Sequence, residues 1–582
     1  MIVEQYPAAV QASGVAIGDT GITLRTDLAY ELDVDDPGLV RFAVVQDADS
    51  PTIILEVPLG DAVAFWQPYG HWGRTTLPPD WRGEAHTSLI RSIPMGCLYA
   101  HDGRSLLGFA LGETTRRVRI RYGVSEESRT FVVCLDLLGP QHERTLDLRV
   151  SAGGRSDETI LLLRDWLTER SARRPGRAPA AARQPVYSTW YAYHHGVDAE
   201  TLETDAAIAA DLGFGSLFLD FGWQRHGVGR QFEGCGDWTP DPVKFPEFAG
   251  FVRTLHARGL AVVAWVAPFL LGERSDAFAQ LSMFAPHHDD VLDAWILDPR
   301  HRVVRDSVIT QFVDLVVAND LDGLKIDFLE TATVYEGTPS TGDIAEVHDA
   351  VYALLTDLEA RLAAVGKGDI IMEFRQPYVS PDLGRFANVV RAEDCPGDAV
   401  LNRTSIIDAR LSTRQIVHSD MMMWHPSTSP EAIARHLHSS LFAVPQVSVP
   451  LSALDAAQTG ALRAWLALWA TVSDVTLDGD LRAEQPHSNH PTLTATTPEA
   501  AVVTVYEPDV VVAVPAAPTV VIVNATSRTR LVLQLPDGGP WRARTVDATG
   551  RVDDAGLLSD GGPVSVTVPA SGRLDLETSA AS

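Results

Sequence analysis

A central (β/α)8 barrel between an N-terminal β-sandwich and a small C-terminal β-sandwich is the fold class this sequence predicts. Three observations predict it. The texture changes twice along the 582 residues, from short β-like runs to a strand–helix alternation near residue 186 and back to β texture near 480. The middle region holds seven strand candidates and room for an eighth. Repeated βα units over a stretch of that length suit a closed parallel barrel. A doubly wound sheet is the alternative, but no GxGxxG loop follows the first strand candidate.

Residues 1–170 carry Leu39-Val-Arg-Phe-Ala-Val-Val45, Thr52-Ile-Ile-Leu-Glu-Val57 and Arg117-Val-Arg-Ile-Arg-Tyr122. Apolar and polar positions alternate there as in half-buried antiparallel strands, which a sandwich contains. Residues 171–185 are rich in Arg, Ala and Pro and read as an exposed linker. Residues 186–478 form the expected barrel. Its strand candidates are Val186–Trp190, Ser216–Asp220, Ala261–Trp265, Gly323–Asp327, Ile370–Glu373, Asn388–Arg391 and Val444–Val449, with the eighth near Gln415–His418. Between them, Ile344, Val347, Val351, Leu354, Leu355, Leu358 and Leu362 recur at helical spacing up to Gly366. Phe251, Val252 and Leu255 do so up to Gly259. Residues 479–582 return to strands such as Ala501–Tyr506 and Leu531–Leu535.

Hydrophobic residues make up 45% of the chain, enough for large cores, and the formal net charge is -29. That charge argues against nucleic acid and anionic membranes as partners, because both reward basic patches. It suits a small neutral or cationic substrate. Cys97, Cys134, Cys235 and Cys395 show no CxxC spacing, which argues against a zinc knuckle or redox pair. The start has no basic n-region and no apolar h-region, and no run of about 20 apolar residues occurs. The expectation is a cytoplasmic protein with reduced thiols. On that expectation the sequons at Asn402 and Asn524 are chance matches.

The segment Gly323-Leu-Lys-Ile-Asp-Phe-Leu-Glu330 carries the most chemistry. Alternation puts Lys325 and Asp327 on one face of a strand end. The lysine charge favours the ionised aspartate, and an aspartate kept as the anion can attack an anomeric carbon. A barrel gathers its site at the C-terminal strand ends. The polar and aromatic groups there are Asp220 with Trp223, Trp265, Lys325 with Asp327, Glu373 with Arg375, and Arg391 with Glu393 and Asp394. His418 and Asp420 follow, with no third ligand that would make a metal site. Rings that stack on sugar CH faces and carboxylates that accept from hydroxyls fit a carbohydrate. His194-His195 falls in the loop after the first strand. The stretch Phe65-Trp-Gln-Pro-Tyr-Gly-His-Trp72 belongs either over the barrel mouth or in a packed sandwich loop.

Asp220-Phe-Gly-Trp223, Gly236-Asp-Trp238 with Lys244-Phe-Pro246, and Leu324-Lys-Ile-Asp327 resemble, in order and spacing, glycoside hydrolase family 36. These are the α-galactosidases, in a clan shared with families 27 and 31. The resemblance covers about 185–420 and is architectural elsewhere. It implies Asp327 as nucleophile and Lys325 as the lysine on a ring hydroxyl. It implies Asp220 as the carboxylate for the outer hydroxyls and Trp238 as a substrate-side aromatic. Within Arg391-Ala-Glu-Asp-Cys-Pro-Gly-Asp398 it implies Asp394 as acid/base, with Glu393 competing because the register is one residue longer. Trp223, Trp265, Glu373 and Arg391 complete the expected substrate contacts, and Arg391 is also placed to orient the acid.

Two departures bear on specificity. Phe221 stands where the family's DDGW motif has its second aspartate, and Trp265-Val-Ala-Pro-Phe269 lacks the glutamate of the family's WFEPE. A non-galactose sugar is compatible with both. The implied function is a retaining exo-α-glycosidase acting through a covalent glycosyl-aspartate, with the acid's pKa raised by a dry setting. Alternatives are a transglycosylase of the same family, an α-glycosidase for another sugar and a degenerate sugar-binding protein. No metal or cofactor is required. The expected partner is a small carbohydrate, and relatives suggest homo-oligomers.

Overall fold

The computed structural model describes residues 13–46, 50–68, 77–79, 83–171, 178–227, 232–537, 540–559 and 562–578. Eight parallel strands close the central barrel in chain order. They are β1 (Val186–Ser188), β2 (Ser216–Leu219), β3 (Ala261–Val266), β4 (Gly323–Ile326), β5 (Ile371–Arg375), β6 (Val389–Arg391), β7 (Ile416–Met422) and β8 (Val444–Val447). Most are buried along their whole length, as strands covered on both faces must be. That is why they appear in the sequence as continuous apolar runs. All eight expected strands are present, with ends shifted by one to four residues.

The helices follow from local signals. Asp198 caps the helix Ala199–Leu212 by accepting from the Thr201 N–H at 2.9 Å. Gly213 ends it in the left-handed region at φ 93°. The helix Val347–Ala364 buries Val347, Val351, Leu354, Leu355, Leu358 and Leu362, the stripe its spacing predicts. Between β3 and β4 lies an addition that the sequence did not announce. Leu270–Leu271, His287–Asp289 and Ala294–Ile296 form a three-stranded antiparallel sheet.

N-terminal to the barrel, two six-stranded sheets enclose one apolar core. The helix Ser156–Arg170 then leads toward the barrel. The expected exposed linker is only part of the answer. Residues 172–177 lie outside the described residues, but Ala180–Arg183 form a 3-10 turn that buries Ala182. His418 on β7 donates from Nε2 to the Ala182 carbonyl at 2.8 Å. Of the aromatic stretch, Phe65 sits in the sandwich core. Trp66 is buried with its Nε1 on Asp408 Oδ1 at 2.9 Å, and residues 69–72 lie outside the described residues. All four cysteines are buried and unpaired.

After the helix Ala456–Asp478 come a seven-stranded and a three-stranded sheet around a separate core. No helix among the described residues is long and apolar enough to cross a membrane. One contact between the barrel and this last region titrates. His438 is 2% exposed, its Nδ1 accepts from Trp465 Nε1 at 3.2 Å, and its Nε2 faces the Ser571 carbonyl at 3.0 Å. Only the neutral ring serves both partners. Burial, with Arg435 and Arg573 nearby, lowers its pKa from 6.5 to about 4. The unfolded state therefore binds the extra proton between those values. The stability contributed here is expected to be complete above pH 6.5 and to be lost as pH falls toward about 4. Urea unfolding across that window should show the slope, and His438→Leu should remove it.

Candidate active site

The mouth of the barrel collects one acid or base from nearly every strand between β2 and β7. Asp327 follows β4, and its N–H continues the ladder to the Val266 carbonyl at 2.9 Å. Its Oδ1 accepts from the Phe328 N–H at 2.8 Å and from Arg375 Nη1 at 2.9 Å. Its Oδ2 has one longer bond, from Trp265 Nε1 at 3.2 Å. Burial pushes this carboxyl up, but Arg375, helped by Arg391 and Lys325, more than offsets that and Asp394's opposing charge. The net position is below the ordinary aspartate range, so Asp327 is an anion, and Oδ2 is its less restrained oxygen.

Lys325 does not pair with Asp327 directly. Its Nζ lies 2.5 Å from Asp220 Oδ2, and both groups are buried. Asp220 is fixed in turn, because its N–H donates to Thr189 Oγ1 at 3.0 Å and its Oδ1 accepts from the Phe221 N–H at 2.9 Å. The cation that governs Asp327 is Arg375, at the end of β5. Arg375 Nη1 also reaches Glu330 Oε1 at 3.3 Å, and its Nη2 reaches Asp394 Oδ2 at 3.3 Å. Three carboxylates therefore share one guanidinium.

Asp394 stands in the loop after β6 with its side chain 47% exposed. Its Oδ1 lies 2.7 Å from Arg391 Nη1. Burial raises its pKa, but Arg391, Arg375 and Lys325 bring it down to about 2. This corrects the expectation of a raised pKa at this position: the side chain is half exposed rather than dry, and two arginines outweigh what burial it has. Glu393 is half-buried beside it. Arg391 is buried beneath, with Nη1 also on Asp420 Oδ1 at 2.8 Å. Asp420 is reached because β7 shifts register between His418 and Met421, a bulge that re-aims the strand. Its Oδ2 accepts from the Cys395 N–H at 2.8 Å and the Tyr191 hydroxyl at 3.3 Å. Burial pushes its pKa up to about 6 against the pull of Arg391.

Three expected substrate contacts take other positions. Trp223 is fully buried, stacked on Phe248 at 5.7 Å, and its Nε1 donates to the Trp265 carbonyl at 3.0 Å. It braces the strand from behind. Glu373 is 1% exposed inside the barrel, with Oε2 bonded to His418 Nδ1 at 2.8 Å and to Gln446 Nε2 at 2.7 Å. It lies 4.0 Å from Arg391 Nε and supports that side chain from below. Trp238 is buried between Trp265 and Phe312, with ring centroids 5.8 and 5.9 Å away. Trp265 stays at the site through its bond to Asp327. Phe221 joins Trp190, Phe232 and Trp265 in one aromatic cluster, at 6.1, 5.0 and 5.4 Å. His195 contributes its carbonyl, which accepts from Lys244 Nζ at 2.8 Å.

Sequence reasoning underrated Arg375 and left Glu330 unassigned. The signals were present. Arg375 is two residues beyond Glu373 on a strand, hence on the same face, and Glu330 closes the segment that carries Asp327. The Tyr378 hydroxyl contacts Glu330 Oε2 and accepts from the Leu329 N–H at 2.8 Å. No group of three or more potential metal ligands occurs among the described residues.

Residues 186–438 match the model of the glycosyl hydrolases family 31 TIM-barrel domain. An α-galactosidase 2 of Pediococcus pentosaceus is 31% identical over 156 residues, which are 24% of this chain and 20% of that relative. The match thus spans about a fifth of that relative's length. The α-galactosidase of Lactobacillus brevis is similar in fold, with TM-score 0.65 and 15% identity over 96% of this chain and 80% of its own. The GH36 α-galactosidase AgaA of Geobacillus stearothermophilus, in a form with two substitutions solved with raffinose, gives TM-score 0.61 and 13% identity. There the coverage is 97% of this chain and 84% of AgaA. The chain is therefore similar to α-galactosidases in sequence over about a quarter of its length and in fold over nearly all of it, and to a family 31 barrel domain over residues 186–438.

Replacing Arg375 by Met should raise the pKa of Asp327, because the first cation opposing its burial is gone. Carboxyl titration by 13C NMR should show the rise, and the acid limb of any activity should move to higher pH with it.

Proposed function

We propose that this chain, a relative of the family 36 α-galactosidases, is a retaining exo-α-glycosidase that forms a covalent intermediate on Asp327. The observation that carries the reading is the Asp327 carboxylate itself. Two short bonds hold Oδ1, one long bond leaves Oδ2 available, and a neighbouring guanidinium keeps the group ionised. An anion so placed attacks the anomeric carbon as the leaving oxygen takes a proton, and water then displaces the aspartate. Two inversions return the starting configuration. The Asp220–Lys325 pair presents an acceptor and donors to ring hydroxyls from the neighbouring strands. The family pattern gives Asp394 the acid/base role, with Glu393 beside it. The substrate is a small carbohydrate with a terminal α-linked sugar, the class to which the raffinose bound by AgaA belongs.

One observation favours a sugar other than galactose. Where the family pattern has a second aspartate, Phe221 is packed into an aromatic cluster and offers no acceptor to an outer hydroxyl. A sugar with hydrogen or an apolar substituent at that place suits such a wall.

Asp327→Ala should lower turnover of activated aryl α-glycosides by roughly 10⁴-fold or more, as loss of a nucleophile does. NMR of the first-formed anomer should report retention, and a 2-fluoro sugar should label Asp327 in peptide maps. Unchanged turnover in that variant, or first release of the opposite anomer, would sink the assignment.

A further inference from the structure

Asp394 stands in a loop, and its two oxygens address arginines rooted in β5 and β6. A loop does not by itself hold a side chain to the placement, within about 0.5 Å, that chemistry demands. The placement is set one layer down, where Asp420 lies completely buried on β7.

Asp420 grips the chain on both sides of Asp394. Three residues before it, Arg391 Nη1 donates to Asp420 Oδ1 at 2.8 Å. One residue after it, the Cys395 N–H donates to Asp420 Oδ2 at 2.8 Å. The main chain of β7 adds a third tie, because the Ala392 N–H donates to the His418 carbonyl at 2.9 Å. Asp420 is itself held from two further directions. The Tyr191 hydroxyl donates to its Oδ2 at 3.3 Å. Its own N–H donates to Asn402 Oδ1 at 3.1 Å, on the helix Ala399–Ser412 that follows the loop.

One nitrogen of Arg391 serves both carboxylates. Nη1 is 2.7 Å from Asp394 Oδ1 and 2.8 Å from Asp420 Oδ1. A cation divided between two anions stabilises each less than it would stabilise one alone. That matters at Asp394, because a general acid must carry its proton before it can give it, and the neighbouring arginines oppose this. The coupling is felt from the other side too. Burial first, and then the Asp394 charge, raise the Asp420 pKa against the pull of Arg391.

We propose that Asp420 is a positioning residue of this site: it seats the loop that carries Asp394 and shares Arg391 with it, so that Asp394 can take up the proton that the leaving oxygen receives. The inference rests on the glycosidase reading above, with Asp394 as the acid/base. Asp420 acts through Arg391 and the loop rather than on the substrate. In the first half-reaction Asp394 passes its proton to the leaving oxygen, which keeps the electron pair of the broken glycosidic bond, and Asp327 Oδ2 bonds to the anomeric carbon. In the second, water gives its proton to Asp394 and its oxygen to the anomeric carbon, and Asp327 leaves as the anion. Asp420 exchanges no proton in either step.

The test compares Asp420→Asn with Asp394→Asn on α-glycosyl fluorides and on α-glycosides with poor leaving groups. Asparagine keeps the size of the side chain and an acceptor for the Cys395 N–H, but it withdraws the anion from Arg391. Asp420→Asn should lower kcat/KM for poor leaving groups by roughly 10²-fold, as a displacement of about 1 Å at a reacting group does. It should spare formation of the intermediate from the fluoride, whose departure needs no acid. In the double variant the loss should equal that of Asp394→Asn alone, because both changes act on one proton transfer. A second readout leaves Asp420 in place. Asp394 is half exposed, and Asp394→Asn should lower the Asp420 pKa read by 13C NMR, because one of the two anions on Arg391 is gone. Equal losses for the fluoride and for poor leaving groups in Asp420→Asn would overturn the proposal. So would losses that add in the double variant, or an Asp420 titration that Asp394→Asn does not move. A leaving-group pattern missing from Asp394→Asn would overturn it together with the Asp394 assignment. If a 2-fluoro sugar fails to label Asp327 and no α-glycosyl fluoride is consumed, the glycosidase reading itself falls and this inference with it.

Discussion

The guanidinium of Arg375 organises the mouth of this barrel. It touches carboxylates from the end of β4, from the short helix after it and from the loop after β6. Without it, Asp327 would lose its nearest cation, while Asp394 would keep Arg391 at 2.7 Å. A planar fork suits the task, because two nitrogens can address different partners while the charge stays delocalised. Phe328 adds to this, its ring lying 5.5 Å from the same guanidinium, within the range of a cation–π contact. The barrel supplies the rigidity. Arg375 is in register with Arg391, and Arg391 with His418, so the two arginines and the histidine sit on adjacent rungs of one ladder.

A second layer lies under that one. Glu373, His418 and Gln446 form a buried network that reaches through the barrel to the Ala182 carbonyl on its floor. These bonds satisfy most of its buried polar atoms, while Glu373 Oε1 and Gln446 Oε1 have no hydrogen-bond partner among the described residues. The segment before β1 thereby becomes part of the barrel interior. A chain stretch rich in Arg, Ala and Pro reads as solvent-exposed, and only the identity of its carbonyl's partner shows otherwise.

Much of the barrel was legible because its physics is local. Strands buried on both faces must be apolar throughout, and the helix Val347–Ala364 needs one stripe of leucines and valines. Asp220, Lys325 and Asp327 were legible because alternation and strand ends fix where they point. The remainder depends on contacts between distant residues. A tryptophan after a glycine looks the same in sequence whether its ring meets a sugar or stacks on Phe248, as Trp223 does. The depressed pKa of Asp394 comes from arginines on two different strands. Strands as short as Leu270–Leu271 carry too few residues to show any period.

One helix ties these parts together. Ala399–Ser412 starts a few residues after Asp394, where Asp398 caps it by accepting from the Leu401 N–H at 2.9 Å. Its Asp408 accepts from Trp66 of the N-terminal region. Its Arg403 lies 3.9 Å over the Tyr506 ring and donates to the Asn489 carbonyl at 2.8 Å, both in the C-terminal region. The outer regions are thus mortised into the element that leads out of the Asp394 loop. Neither outer region is thereby an independent module: a graft that mismatches Trp66 or Tyr506 would remove a contact of the helix that leads out of the Asp394 loop.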